Sequence, residues 1–288
     1  MTGIKVRSKK DERFQIKYRI HLLFTLAALA LIAMTTATYA WFSLSAKVKV
    51  NQLEMEISSG PILRIDTVNH GDDYEQYKSE VTLDMVSAQI SEKFGVLFDD
   101  IALQPLTTGN CINYYTQRAN IRGEAANEPN AGGYIMYDLY LISDKDMWVH
   151  LTSENSLNGK VDGTAILPLD ADAEKTQITQ CIRVSFTMEN GDVLVYEPNK
   201  NGDTQLLGRA AQESANGILN SIDLPTSENM DYTNHTRLLK LTANKVQKVT
   251  VRIWAEGEDA QCTNAVQKAR FLARFKFQGT DDLNVPLS

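Results

Sequence analysis

CIRVSFTMENGDVLVYE, residues 181–197, sets Ile182, Val184, Phe186 and Met188 against Arg183, Ser185 and Thr187, breaks at Asn190-Gly191, and resumes as VLVYE. A period of two is that of a strand with one face in a core. Asn-Gly is the dipeptide that best tolerates the positive φ angles of a tight hairpin turn. The stretch therefore predicts a β-hairpin, with Arg183 on a solvated face.

The same texture runs through the chain. YIMYDLYLIS (134–143) puts Ile135, Tyr137, Leu139 and Leu141 on one face. VTVRIW (249–254) does so with Val249, Val251 and Ile253, and leaves Trp254 at the edge of a core. RFLARFKF (270–277) buries Phe271, Ala273, Phe275 and Phe277, with Arg274 and Lys276 outside. KVKVNQLEMEI (47–57) alternates through Val48, Val50, Leu53, Met55 and Ile57, with a slip at Asn51-Gln52 that reads as a bulge. Asn-Gly recurs at 158–159, 201–202 and 216–217, and IRGEAANEPNAGG (121–133) reads as a long surface loop. Helix is scarce: residues 204–220 are the best candidate, and a short helix fits within 74–90. Regular in/out alternation is the mark of antiparallel sheets with one solvated face. The expected fold is all-β, an antiparallel β-sandwich of jelly-roll type with one or two short helices.

An N-terminal hydrophobic signal or anchor helix is expected before it. Residues 1–40 carry seven Lys/Arg against two acids, a surplus of five. The whole chain of 288 residues has a net charge of −7, so residues 41–288 carry −12. So acidic a body repels phosphate backbones, and nucleic-acid binding is not expected. Leu22 to Met34 holds a single polar residue, Thr25. This run has the length of a signal-peptide core of roughly 7–15 residues and falls short of a transmembrane helix of about 20. The small residues after it mark Ala37, Thr38, Tyr39, Ala40 and Trp41 as the cleavage region, with Ala37 or Ala40 the last residue removed. The competing reading extends the span through Tyr39, Trp41 and Phe42 as an interfacial aromatic belt, and retains it as an anchor. The expected organisation is residues 1–40 as basic region plus signal segment, and 41–288 as the β domain.

Catalytic signatures are absent. The four histidines form no HExxH, and no GxSxG elbow, Walker loop or helix-opening GxGxxG occurs. A non-enzymatic protein without an organic cofactor is expected. EGEDAQC (256–262) offers Glu256, Glu258 and Asp259 as candidate oxygen ligands for calcium, against the simpler reading of solvated turn carboxylates. Cys111, Cys181 and Cys262 form no CxxC pair. They allow one disulfide among three pairings, or three small buried side chains.

ATYAWFSLSAKVKVNQLEMEI, with its small-residue exit, Tyr39, Ala40-Trp41-Phe42, short spacer and Leu53-Glu54-Met55, resembles the export junction of the TasA/camelysin-like proteins of Gram-positive bacteria. YDLYLISDKDMWVHL, CIRVSFTMENGDVLVYEPN and VTVRIWAEGEDAQCTNAVQKARFLARFKF look like the middle and closing strands of clostridial proteins with this signal. The resemblance implies a jelly-roll sandwich, a dedicated signal peptidase as export partner, and display at the cell surface or in the biofilm matrix. It also implies fibre assembly by donation of the first mature strand, here Val48, Val50, Leu53, Met55 and Ile57. The chain departs from the pattern in its long basic region, its missing Gly before the aromatic, and its three cysteines. Self-association, or association with other surface proteins, is the expected partnership. Deletion of residues 46–57 is expected to leave a folded domain that no longer assembles. A membrane-anchored ligand-binding or adhesin domain is the alternative.

Overall fold

The computed structural model describes residues 21–23, 25–27, 48–118, 121–155, 160–198, 220–222, 224–225 and 231–287. The chain divides into two units, Met1–Ser45 and Ala46–Ser288. In the first, 21–23 and 25–27 are helical. The cleavage region Ala37–Trp41, the remaining Asn-Gly turns and all but the last residue of the helix expected over 204–220 lie outside the described residues; that last residue, Asn220, is in a strand. Among the described residues, no helix is long and apolar enough to cross a membrane.

The second unit is mostly strand, as the alternation predicts. One sheet contains β1 (Lys49–Ile57), β3 (Glu80–Val81), β8 (Met147–Leu151), β9 (Ala165–Pro168), β13 (Arg237–Leu241) and β15 (Arg270–Thr280). Its order is β13-β8-β15-β1-β3, with β9 also on β15. The other contains β2 (Leu63–Asp66), β4 (Pro105–Thr108), β5 (Tyr114–Arg118), β6 (Ile121–Ala125), β7 (Ile135–Ser143), β10 (Ile182–Met188), β11 (Val193–Tyr196), β12 (Asn220–Ser221) and β14 (Gln247–Glu256). Here β10 lies on one flank of β14. The other flank takes β7 along residues 247–253 and β4 at 255–256.

Both sheets are mixed, which corrects the antiparallel expectation: β1 with β15, β4 with β14 and β11 with β12 run parallel. Alternation specifies a half-buried face and carries no information on the direction of the neighbour. The β1–β15 register is marked on its outer face, where Glu54 meets Arg274 at 2.9 Å and Glu56 meets Lys276 at 3.3 Å, each opposite its register partner. The slip near Asn51 is present, as a register shift between Val50 and Gln52.

The two sheets share one apolar core. Phe186 of β10 meets the rings of Phe275 and Phe277 of β15 edge-on, at 5.7 and 6.5 Å. Tyr137 of β7 reaches the sulfur of Met55 in β1 at 3.6 Å. Each such side chain contributes about 1.5–3 kcal/mol by leaving water. Helix α1 (Leu83–Phe94) buries Val86, Gln89 and Ile90, and ends at Gly95, whose φ of 67° only glycine adopts freely. It is the short helix expected within 74–90, displaced toward the C-terminus. Gln89 fastens it to β7, accepting from the Asp138 amide at 2.7 Å and donating to the Asp138 and Thr67 carbonyls. A second helix, α2 (Ile178–Cys181), is a single turn leading into β10.

Candidate functional site: a buried arginine–carboxylate cluster

Strand alternation sends every second residue of β10 and β14 away from the shared core. On β10 these are Arg183, Ser185 and Thr187; on β14 they are Thr250, Arg252, Trp254 and Glu256. Arg183 and Trp254 stand opposite each other in the ladder. This face is expected to meet water, and over its Arg183 end it does not. Arg183, Trp254 and Glu256 are each 0% exposed.

A second, smaller apolar cluster covers them. Leu106 of β4, Cys111, Tyr114 of β5, Tyr134, Val195 of β11 and Trp254 pack together. Tyr114 stacks on Tyr134 at 4.2 Å and meets Trp254 edge-on at 5.5 Å. The segment expected as a surface loop supplies part of this cover. Residues 121–125 form β6, and Asn127 beyond it accepts from the Tyr114 amide at 2.7 Å. Asn130, itself buried, brackets Met136 through both its amide oxygen and its amide nitrogen.

Under that cover both terminal nitrogens of Arg183 are paired. Its Nη2 donates to Asp259 at 2.7 Å and lies 2.9 Å from Glu197, while Nη1 donates to the carbonyls of Gln180 and Ile182 at 2.7 and 3.1 Å. The EGEDAQC stretch turns back sharply, with the Asp259 amide on the Glu256 carbonyl and the Cys262 amide on the Asp259 carbonyl. That turn aims its carboxylates inward. Glu256 accepts from the Trp254 indole at 3.1 Å and from the Glu258 amide at 3.1 Å. Asp259 accepts from the Gln261 amide at 2.8 Å as well as from Arg183. Burial pushes the Glu256 carboxyl up to about 7, against the opposing pull of Trp254, the Glu258 amide, Arg183 and Thr107.

Three expectations are corrected here. Arg183 is an internal counter-ion, and Trp254 is a full core residue of the second cluster. Glu256 and Asp259 are buried, so the reading of solvated turn carboxylates fails for both. Their oxygens face Arg183, the Trp254 indole and the turn's own amides. Among the described residues no group of three or more His, Cys, Asp or Glu side chains is arranged to hold a metal ion.

The remaining candidates are dispersed. Val48, Val50, Leu53, Met55 and Ile57 all lie in the shared core, at most 7% exposed. Cys111, Cys181 and Cys262 are free thiols. Cys111 belongs to the second cluster, where burial pushes its thiol up to about 12. Cys181 and Cys262 are brought together at the far end of the Arg183 turn, near enough for each thiol to bear on the other. His150, 0% exposed, sits between Thr236 Oγ1 at 2.8 Å and Thr280 Oγ1 at 2.9 Å. Burial lowers it to about 4, so it is neutral at physiological pH.

The cluster can hold the end of β14, the start of β10 and the 256–262 turn in one arrangement. Its three central side chains, Arg183, Trp254 and Glu256, leave no face open to a substrate. No protein-family model matches the chain, and no curated protein or solved structure matches it.

Proposed function

We propose that the chain is an exported, non-enzymatic structural protein of a Gram-positive cell surface or matrix, with a β-sandwich of jelly-roll type as its working part. The observation that carries this reading is the position of one boundary. The folded unit begins at Ala46, a few residues beyond the basic region, apolar run and small-residue exit that together read as an export signal. Removal at Ala37 or Ala40 would release that unit whole. The absence of catalytic motifs and the closed packing around Arg183 favour a structural role over a catalytic one.

Assembly would proceed by exchange of β1 with a second copy. β1 is the strand nearest the release point. On one side it is zipped to β15 along its length; on the other it meets β3 at two residues and Leu103 through a bridge from Val48. If β1 leaves, it opens one continuous slot along β15, with its own shape and charge pattern, which another copy's β1 fits. Strand addition of this kind takes its affinity from main-chain hydrogen bonds and its specificity from alternate side-chain pockets.

Intact-mass measurement of the native product tests export: a start near residue 38 or 41 supports release. A start at Met1 overturns it in favour of a membrane-anchored binding or adhesin domain, the reading that Tyr39, Trp41 and Phe42 favour as interfacial residues. Sedimentation of the released chain over a range of concentrations tests assembly. Large species that shrink when excess peptide 46–57 is added are expected, and a monomer at every concentration overturns the exchange.

A further inference from the structure

We propose that Cys181 and Cys262 are a dithiol that closes to a disulfide by exchange with an external disulfide, fastening the 256–262 turn to helix α2. The inference stands apart from export and assembly, because it rests only on how the folded unit places these two residues.

The two cysteines are about 80 residues apart in the chain, yet three independent features converge on their meeting. Cys181 is the last residue of α2, its thiol donating to the Gln177 carbonyl at 3.5 Å. Cys262 closes the turn whose Asp259 is bound to Arg183, its amide donating to the Asp259 carbonyl at 2.9 Å. Pairing of Ile182 with Ala255 sets the two segments side by side, and the short helical turns 175–177 and 264–266 pack on each other next to the two cysteines. The two thiols are close enough to bear on each other electrostatically. Cys111 sits among Tyr114, Tyr134 and Trp254 in the second cluster.

The exposures set the order of events. Cys262 is half-buried and Cys181 is fully buried, so an external disulfide reaches the Cys262 sulfur. Its thiolate attacks one sulfur of the disulfide, forming a mixed disulfide and expelling one thiolate, which takes up the proton Cys262 gave away. The Cys181 thiolate then attacks the Cys262 sulfur. The internal S–S bond forms, the mixed S–S bond breaks, and the second external thiol leaves. The two cysteines are oxidised by two electrons, and one external disulfide is reduced to two thiols. The Cys262 thiol beside it and burial together hold the Cys181 thiol well above its ordinary range. The mixed disulfide removes the first of these causes at the moment Cys181 must ionise. Since the thiolate is the attacking species, closure should accelerate as pH rises.

The test uses the full chain, reduced, then exposed in its folded state to oxidised glutathione, unfolded, alkylated and mapped by peptide mass. A linked peptide containing Cys181 and Cys262 is expected, with Cys111 alkylated. The oxidised chain should also melt on the order of 5–10 °C above the reduced one, since a bridge closing a loop this long restricts the unfolded chain. Cys262→Ser should abolish both the linkage and the shift while melting with the reduced wild type. A persistent glutathione adduct on Cys262 with Cys181 still alkylated, a bridge involving Cys111, or three intact thiols after hours of exposure would each overturn the assignment. The mapping is made on the wild-type chain, so it decides the matter even if a variant folds poorly.

Discussion

Replacing Arg183 by methionine would leave Asp259 and Glu197, whose side chains are 0% and 5% exposed, as buried charges without their counter-ion. The expected loss is about 3–5 kcal/mol in a denaturant titration, because desolvated carboxylates stay where they are when their partner goes. Lys240→Ala, which removes one of the partners of a largely exposed Asp282, should leave the same titration almost unchanged. Glu256 and His150 make a second prediction, in which signs matter. Glu256 titrates near 7 in the fold and near 4.5 outside it, so its contribution is full below 4.5 and is lost as pH rises through 7. His150 titrates near 4 in the fold and near 6.5 outside it, so its contribution is full above 6.5 and is lost as pH falls through 4. Between pH 4.5 and 6.5 the two slopes oppose, and the wild type should be flatter there than either single variant. Glu256→Gln should expose a stability that rises with pH, and His150→Gln one that falls, each difference approaching about 1.4 kcal/mol per pH unit at most. Unfolding midpoints at half-unit pH steps read this directly. Arg183 illustrates what sequence could and could not reveal at this scale. Its face of the strand was legible from the period of two. Its burial was not, because that depends on residues 106–134 folding over a surface that alternation alone assigns to water. A signal was present in the aromatic and acidic residues of β14, Trp254 and Glu256, which share Arg183's face.

Strands are where the sequence was most legible. The buried faces of β7, β10, β14 and β15 are those read from Ile135, Val184, Val251 and Phe275 and their alternating neighbours, and the Asn190-Gly191 turn joins β10 to β11. Beyond that hairpin, partners were not legible, since a strand's pattern names the face it buries and leaves open which strand lies beside it. β1 shows the cost of that gap. The expectation that residues 46–57 could be deleted from a folded domain is at odds with their placement: Val50, Leu53, Met55 and Ile57 fill the core that β15 and β7 also line. The deleted chain should lose cooperative unfolding, measured by near-ultraviolet dichroism against denaturant. Addition of a peptide spanning 46–57 should restore it. Phe275→Ala, which empties the position between Phe186 and Tyr196, should cost about 3–5 kcal/mol in the intact chain.

At the scale of the whole molecule, one strand organises the larger share of the order. β15 is flanked by β1 on one side and by β8 and β9 on the other, so the first sheet is built around a segment near residue 275. Lys49 and Arg270, partners in the ladder, are about 220 residues apart along the chain, and contacts so distant are slow to form. Were the chain exported as proposed, an order of events would follow from this. A polypeptide threaded through a membrane from its N-terminus delivers β1 first and β15 among the last. Until then β1 would have almost nothing to zip against, so the chain would cross in a slack state and set only once its tail was through. Late closure would keep the passenger pliable for the conduit. It would also leave β1 unclaimed where neighbouring copies arrive in the same condition, and crowding at the exit would then decide whether a strand closes on its own sheet or on another's.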